Sequence, residues 1–142
     1  PGSLYTSILP NLLVARVSQA IGESGATKIF ICNLMTQPGE TDNYSARDHL
    51  DTIKRYAPEI QFDYVVVNDR RITAEQATRY AEEGAHQIGI GDDSLEGALD
   101  QSTQIIRANL LEEGEKVRHD STLLARVVMS CRQLACSRPV PA

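Results

Sequence analysis

Three clusters of hydroxyl, amide and guanidinium side chains could hold an anion or a sugar. Residues 33–42 read NLMTQPGETD, and Asn33, Thr36 and Gln37 supply amide and hydroxyl groups within one short crossing. The run GSLYTS places Gly2, Ser3, Thr6 and Ser7 ahead of an apolar stretch. Glycine permits close backbone approach, hydroxyls cap helix starts, and the unpaired N–H groups of a helix start favour phosphate. In VRHD, Arg118 and His119 come just before Asp120, which suits the N-cap of a following helix. An arginine there is a good donor to a diphosphate or a carboxylate. Each cluster also has a plain structural reading: a solvated loop, a capped helix start, a surface ion pair.

The elements that must position these groups are legible in the hydrophobic pattern. Residues 28–34 form a continuous apolar run, as expected for a strand covered on both faces of a parallel sheet. FDYVVVN, residues 62–68, is the clearest strand, and Asn68 at its end could join the rim. Residues 87–90 read as an irregular edge strand beside Gly89 and Gly91, and residues 104–111 as a fourth strand. Between them fall helices. One follows the GSLYTS turn, with Pro10 in its first turn and an apolar stripe from Ile8, Leu9, Leu12, Leu13 and Val17. A second starts at Ser45 with Asp48 in the capping-box position, and a third at Thr73 with Gln76 three places on, closed by Gly84. The last covers residues 121–134, with Leu123, Leu124, Val127, Val128 and Cys131 as its buried face. Strands alternating with helices imply a parallel sheet with helices on its faces, and ligands then bind beyond the carboxyl ends of the strands.

Other candidates carry weaker chemistry. Tyr80 is either a packing residue or a ring reaching the crevice. Arg70 and Arg71 read as a solvated loop, His49 as structural, and Asp92 with Asp93 as a turn or cap in preference to a metal site. With 14 basic and 19 acidic residues the net charge is −5, which argues against a broad nucleic-acid face. No apolar run reaches the ~18 residues of a membrane span, and no secretory signal is visible. Three cysteines, odd in number and without zinc spacing, suit a reducing, cytoplasmic setting. The residues after 136 are expected to fray.

At PGSLYTSILPNLLV, CNLMTQPGETDNYSARDHL, FDYVVVN, RYAEEGA and VRHDSTLLA the chain resembles the CofD-like proteins, in the branch of YvcK-type gluconeogenesis factors. The resemblance implies a Rossmann-like three-layer α/β/α fold with a mostly parallel sheet. It implies that residues 1–142 are the C-terminal part of a single domain whose N-terminal nucleotide-binding half lies outside this sequence, in keeping with a start that lacks methionine and a lead-in strand. It further implies binding of a UDP-sugar, typically UDP-N-acetylglucosamine, in a cytoplasmic regulator linking carbon metabolism to cell-wall synthesis and cell shape. Catalysis is not established for that branch. On this chain Gly2, Ser3, Thr6 and Ser7 would cradle phosphate. Asn33, Thr36 and Gln37 would line the crevice, and Tyr80 and Arg118 would contribute to sugar-nucleotide binding. Asn43 stands where glycine is usual, a position that asparagine tolerates in left-handed conformation.

The expected function is therefore a nucleotide-sugar-binding regulator, with no catalytic residue and no metal ligand assigned. The alternative is an enzyme like the 2-phospho-L-lactate transferases of the sister branch, which use a nucleotide-activated donor; magnesium is a cofactor in that case. Self-association and contacts with cell-wall synthesis proteins are the expected macromolecular partnerships.

Overall fold

The computed structural model describes residues 2–14, 16–90, 95, 99 and 102–136, the side chains of 135 and 136 excepted. Strands β1 (Ile29–Ile31), β2 (Tyr64–Asn68) and β3 (Gln104–Ala108) pair in parallel in that spatial order. Phe30 lies opposite Val65, and Val65 opposite Ile105. Every residue of β2 is buried, which is why the strand reads as an unbroken apolar run with no polar face.

Side chains alternate across a strand, so the sheet feeds two cores. Phe30, Val65 and Val67 pack with Leu4, Leu9, Leu50 and Ile53 on one side. Tyr64 and Val66 pack with Leu110 and Cys131 on the other, backed by Ile29, Ile31, Leu124 and Val127. Helix α3 (Ala46–Tyr56) covers the first face and α5 (Ser121–Cys136) the second, giving the three-layer, Rossmann-like α/β arrangement expected.

The helix starts follow their caps. Ser45 Oγ accepts from the Asp48 amide at 3.1 Å, and Asp48 answers by accepting from the Ser45 amide at 2.8 Å. The Ser45 hydroxyl, which donates to the same carboxylate at 2.6 Å, and then the Ser45 amide hold the Asp48 carboxyl below its usual range. Ala46, His49, Leu50 and Ile53 then fall on one buried face. Thr73 and Gln76 form the same box at the start of α4 (Ala74–Glu82), and Gly84, at φ +79°, turns the chain away after it. Asp120 Oδ1 accepts from the amides of Thr122 and Leu123 at 2.8 and 2.9 Å, capping α5. Asn43 is left-handed, at φ 59°. His49 is structural: it is buried, and its Nδ1 is 2.8 Å from the Ser45 carbonyl.

Two expectations are corrected. The opening helix is not continuous. A wide turn over Leu4–Ile8, closed by the Ile8 amide on the Ser3 carbonyl, leads into α1 (Leu9–Leu12). The chain then bends at Arg16 (φ 70°) and restarts as α2 (Val17–Glu23). The bend lets α2 lie against residue 59: a Cβ on Gly22 would stand 2.7 Å from the Glu59 carbonyl oxygen. Leu13, read as part of the stripe, is left 59% exposed, as is its neighbour Val14 at 56%. Periodicity reports which residues share a face, not whether the axis runs straight.

The other correction concerns residues 87–90, which make no strand. Gln87 forms one antiparallel bridge with Met35. Gly89 then takes φ +88° and passes so near β2 that a Cβ would lie 2.5 Å from Val67 Cγ1. Gly91, Asp92, Asp93 and residues 137–142 lie outside the described residues.

Gly89→Ala should therefore combine backbone strain with a clash, and cost more than Gly39→Ala, whose φ is +79° but whose surroundings are open. Strain alone is worth roughly 1–2 kcal/mol. Urea midpoints for the two variants should differ in that order, and equal midpoints would contradict the close approach.

Candidate functional site

Because the strands are parallel, their carboxyl ends share one edge, and the loop after β1 emerges there at Cys32 and Asn33. Contacts tie the N-terminal turn to that loop. Asn33 Nδ2 donates to the Gly2 carbonyl at 3.3 Å, and Ser3 Oγ donates to the Glu40 carboxylate. Farther along, the Tyr5 and Tyr44 hydroxyls meet at 2.7 Å with their rings edge to face. Gly2 fits because it is glycine: a Cβ would lie 2.7 Å from Ser7 Cβ.

The third cluster reaches the same edge. The Leu111–His119 bridge brings the chain back after β3, and Tyr80 Oη accepts from the Val117 amide at 3.0 Å. Behind it, Gln76 and Arg79 donate to the carbonyls of Gly114 and Glu115. Asn33, Leu34, Met35, Val117, Arg118 and His119 then line a cavity of about 330 Å³. Arg118 is exposed at it and His119 half-buried. Within these lining residues, Asn33 Oδ1 and His119 Nε2 are buried without a hydrogen-bond partner among the described residues. Burial pushes the His119 imidazole down to about 4, so it is neutral at physiological pH. The lining thus combines one exposed cation with uncharged polar residues.

The expected site residues divide accordingly. Gly2, Asn33 and Arg118 come together, and Ser3 is joined to them through the loop. Thr36 is buried in the same loop but faces away: its Oγ1 accepts from the His86 amide at 2.8 Å. It lines a separate open groove of about 350 Å³ with Asn43, Ser45 and Gly89. Gln37 helps close a turn by donating its amide to Thr41 Oγ1 at 2.9 Å, and its Oε1 is buried without a partner. Tyr80 is no wall of the cavity but props the segment that is. Thr6 and Ser7 are exposed. The amides of Thr6, Ser7 and Ile8 are already bonded to the Ser3 hydroxyl and carbonyl, so a phosphate there would have to displace internal bonds.

Asn68, expected at the rim, is instead 3% exposed and clamps two loops, with Oδ1 accepting from the Leu110 amide and Nδ2 donating to the Arg70 carbonyl. The reason is that a strand-end amide beside two turning chains satisfies backbone groups that would otherwise be buried unpaired. Sequence reasoning assigned His119 no role of its own; its place beside Arg118 in VRHD was the available signal. A further cavity, of about 160 Å³, lies between α3 and the entry ends of β2 and β3, lined by Leu50, Phe62 and Thr103, away from this rim.

A parallel α/β sheet with helices on both faces and a polar cavity beyond its carboxyl ends defines the class: a Rossmann-like α/β protein. The chain belongs to the CofD family, whose model, described as 2-phospho-L-lactate transferase CofD, matches residues 1–111. A putative gluconeogenesis factor of Thermotoga maritima is 42% identical over 129 residues, covering 90% of this chain and 41% of the relative. The gluconeogenesis factor of Bacillus subtilis is 35% identical over 130 residues, covering 91% of this chain and 40% of the relative. A crystal structure of a UPF0052-family protein from Bacillus halodurans superposes with a TM-score of 0.82 at 36% identity, over 91% of this chain and 41% of that one. The chain thus spans about two fifths of these relatives' length. Among the described residues no helix is long and apolar enough to cross a membrane.

Burial lowers the pKa of both His49 and His119. The unfolded chain takes up these protons from the ordinary value of 6.5 downward, and the folded chain resists until about 4 at His119. Stability is therefore complete above 6.5 and falls as the pH drops toward 4. Urea midpoints measured from about pH 7 to about pH 4.5 should decline, and His119→Gln should flatten part of that slope. An unaltered slope would mean that His119 titrates as it does in water.

Proposed function

We propose that this chain forms part of a UDP-sugar-binding regulator, working in the cytoplasm, that links central carbon metabolism to cell-wall synthesis and cell shape. The observation that carries the reading is the rim cavity, lined by the exposed Arg118 together with the neutral polar residues Asn33 and His119. A diphosphate suits a single exposed guanidinium, which donates planar, charge-assisted bonds. The neutral groups suit base or sugar. At about 330 Å³ the cavity matches the lower range of small-ligand sites. Relatives named gluconeogenesis factor support the metabolic side of the reading.

In this reading the diphosphate lies on Arg118, with Gly2, Ser3, Thr6 and Ser7 as the adjoining wall. Asn33, Thr36 and Gln37 form the loop that shapes the crevice, and Tyr80 holds the Val117–His119 backbone for the arginine. UDP-N-acetylglucosamine is the preferred ligand, and self-association and cell-wall synthesis proteins are the partners.

A second reading is favoured by the family model, whose description names a 2-phospho-L-lactate transferase. It is an enzyme that transfers a phospholactyl group from a nucleotide-activated donor with magnesium present. Incubating the intact protein with such a donor and a hydroxyl acceptor separates the two: the regulator leaves the donor whole.

Calorimetry of the intact protein with UDP-N-acetylglucosamine should give saturable heat. Arg118→Ala should weaken binding by about 1.5–3 kcal/mol, roughly ten- to a hundredfold. Absence of heat, or an unchanged affinity in the variant, would count against the proposal.

A further inference from the structure

Arg118 lies on the return limb of a loop whose base and tip are held in different ways. At the base, the Leu111–His119 bridge, the Glu112 amide donating to the Arg118 carbonyl at 2.9 Å and Asn68 Oδ1 accepting from the Leu110 amide at 3.0 Å join it to the sheet. The tip has no such footing: residues 112–116 are all exposed, so no apolar burial holds them. What holds them is α4. Gln76 Nε2 donates to the Gly114 carbonyl at 2.8 Å, Arg79 donates to the Glu115 carbonyl, and Tyr80 Oη accepts from the Val117 amide at 3.0 Å. Gln76 has two partners. Its Oε1 accepts from the Thr73 amide at 3.0 Å as half of the capping box, which leaves Nε2 for the loop. One end of the side chain thus serves its own helix, and the other a backbone 38 positions away.

We infer that Gln76 is a positioning residue for Arg118: by tying the tip of the 111–119 loop to the first turn of α4, it fixes where the guanidinium stands at the rim cavity. This rests on the UDP-sugar reading, in which Arg118 meets the diphosphate. An exposed loop left to itself samples many conformations, and a ligand would have to order it on binding; a loop ordered beforehand spares that cost. The bond to Gly114 is itself exposed, so water can replace it and it adds little to folding. Its effect falls on the ligand, whose affinity depends on how often Arg118 is in place. Helix α4 has no buried residue of its own, so helix and loop form an outer layer joined by side-chain-to-backbone bonds.

Substitution separates the two ends of Gln76. Gln76→Glu keeps an acceptor for the Thr73 amide, since glutamate serves in a capping box as glutamine does, but it has no N–H for Gly114. Thr73→Ala does the reverse: it removes the hydroxyl that accepts from the Gln76 amide at 3.2 Å and leaves the Gly114 bond. Three measurements on the intact protein are compared: calorimetry with UDP-N-acetylglucosamine, urea midpoints, and hydrogen exchange of the amides of residues 113–118. Gln76→Glu should weaken binding by roughly three- to tenfold and speed exchange across the loop, with the midpoint close to wild type. Thr73→Ala should lower the midpoint and leave affinity and loop exchange as they were. Unchanged affinity in Gln76→Glu, or an equal loss in both variants, would overturn the inference. So would a difference from wild type that vanishes in about 0.5 M salt, where an added carboxylate acting at a distance is screened. A wild type that gives no heat with UDP-N-acetylglucosamine would instead remove the UDP-sugar reading, and the inference with it.

Discussion

Val65 and Val67 face one layer of helices, Tyr64 and Val66 face the other, and the strand that carries them lies between two parallel neighbours. Complete burial of β2 is the constraint on which the remaining geometry depends. A strand covered on both faces cannot slip by one residue without exchanging its two sets of side chains, so the register with β1 and β3 is held by packing. Parallel pairing then sends the chain out of each strand at the same edge. The rim exists because the core allows no other exit.

What stands at that edge is held mainly by hydrogen bonds. The GSLYTS turn is tied to the loop after β1 through Asn33–Gly2, Ser3–Glu40 and Tyr5–Tyr44, and Thr36 stitches the far end of the loop to His86. Helix α4 has no buried residue of its own, yet its Gln76, Arg79 and Tyr80 hold the backbone over residues 114–117. That arrangement explains why the rim contains many polar side chains and few that are free. Thr36 and Asn68 spend their polar atoms on backbone, whereas Arg118, Asn33 Oδ1 and His119 Nε2 do not.

Electrostatics sharpen the division. Arg118 is exposed, so its charge is solvated and costs nothing to keep. His119, one residue on, is half-buried and gives up its charge instead. Adjacent residues of one loop therefore differ in electrostatic character, one ionic and one neutral. Ser3, across the loop, is tied to the Glu40 carboxylate.

Much of this was readable from residue order. The strand read at residues 62–68, the capping boxes at Ser45 and Thr73 and the Asp120 cap are local: each follows from neighbouring residues and backbone sterics alone. The clustering of hydroxyls and amides in GSLYTS and NLMTQPGETD, and the basic residue in VRHD, likewise announced a polar rim in a parallel α/β domain. Three-dimensional packing decided the rest. Residues 87–90 lost their strand where Gly89 passes Val67, and the opening helix broke at Arg16, ahead of α2, whose Gly22 packs against residue 59. Asn68 was taken up by the Leu110 amide, and His119 gained its place because Val117 is held by a tyrosine 37 positions away. Local rules govern how a backbone starts and stops an element; whether a polar atom remains available depends on which distant backbone comes to lie beside it.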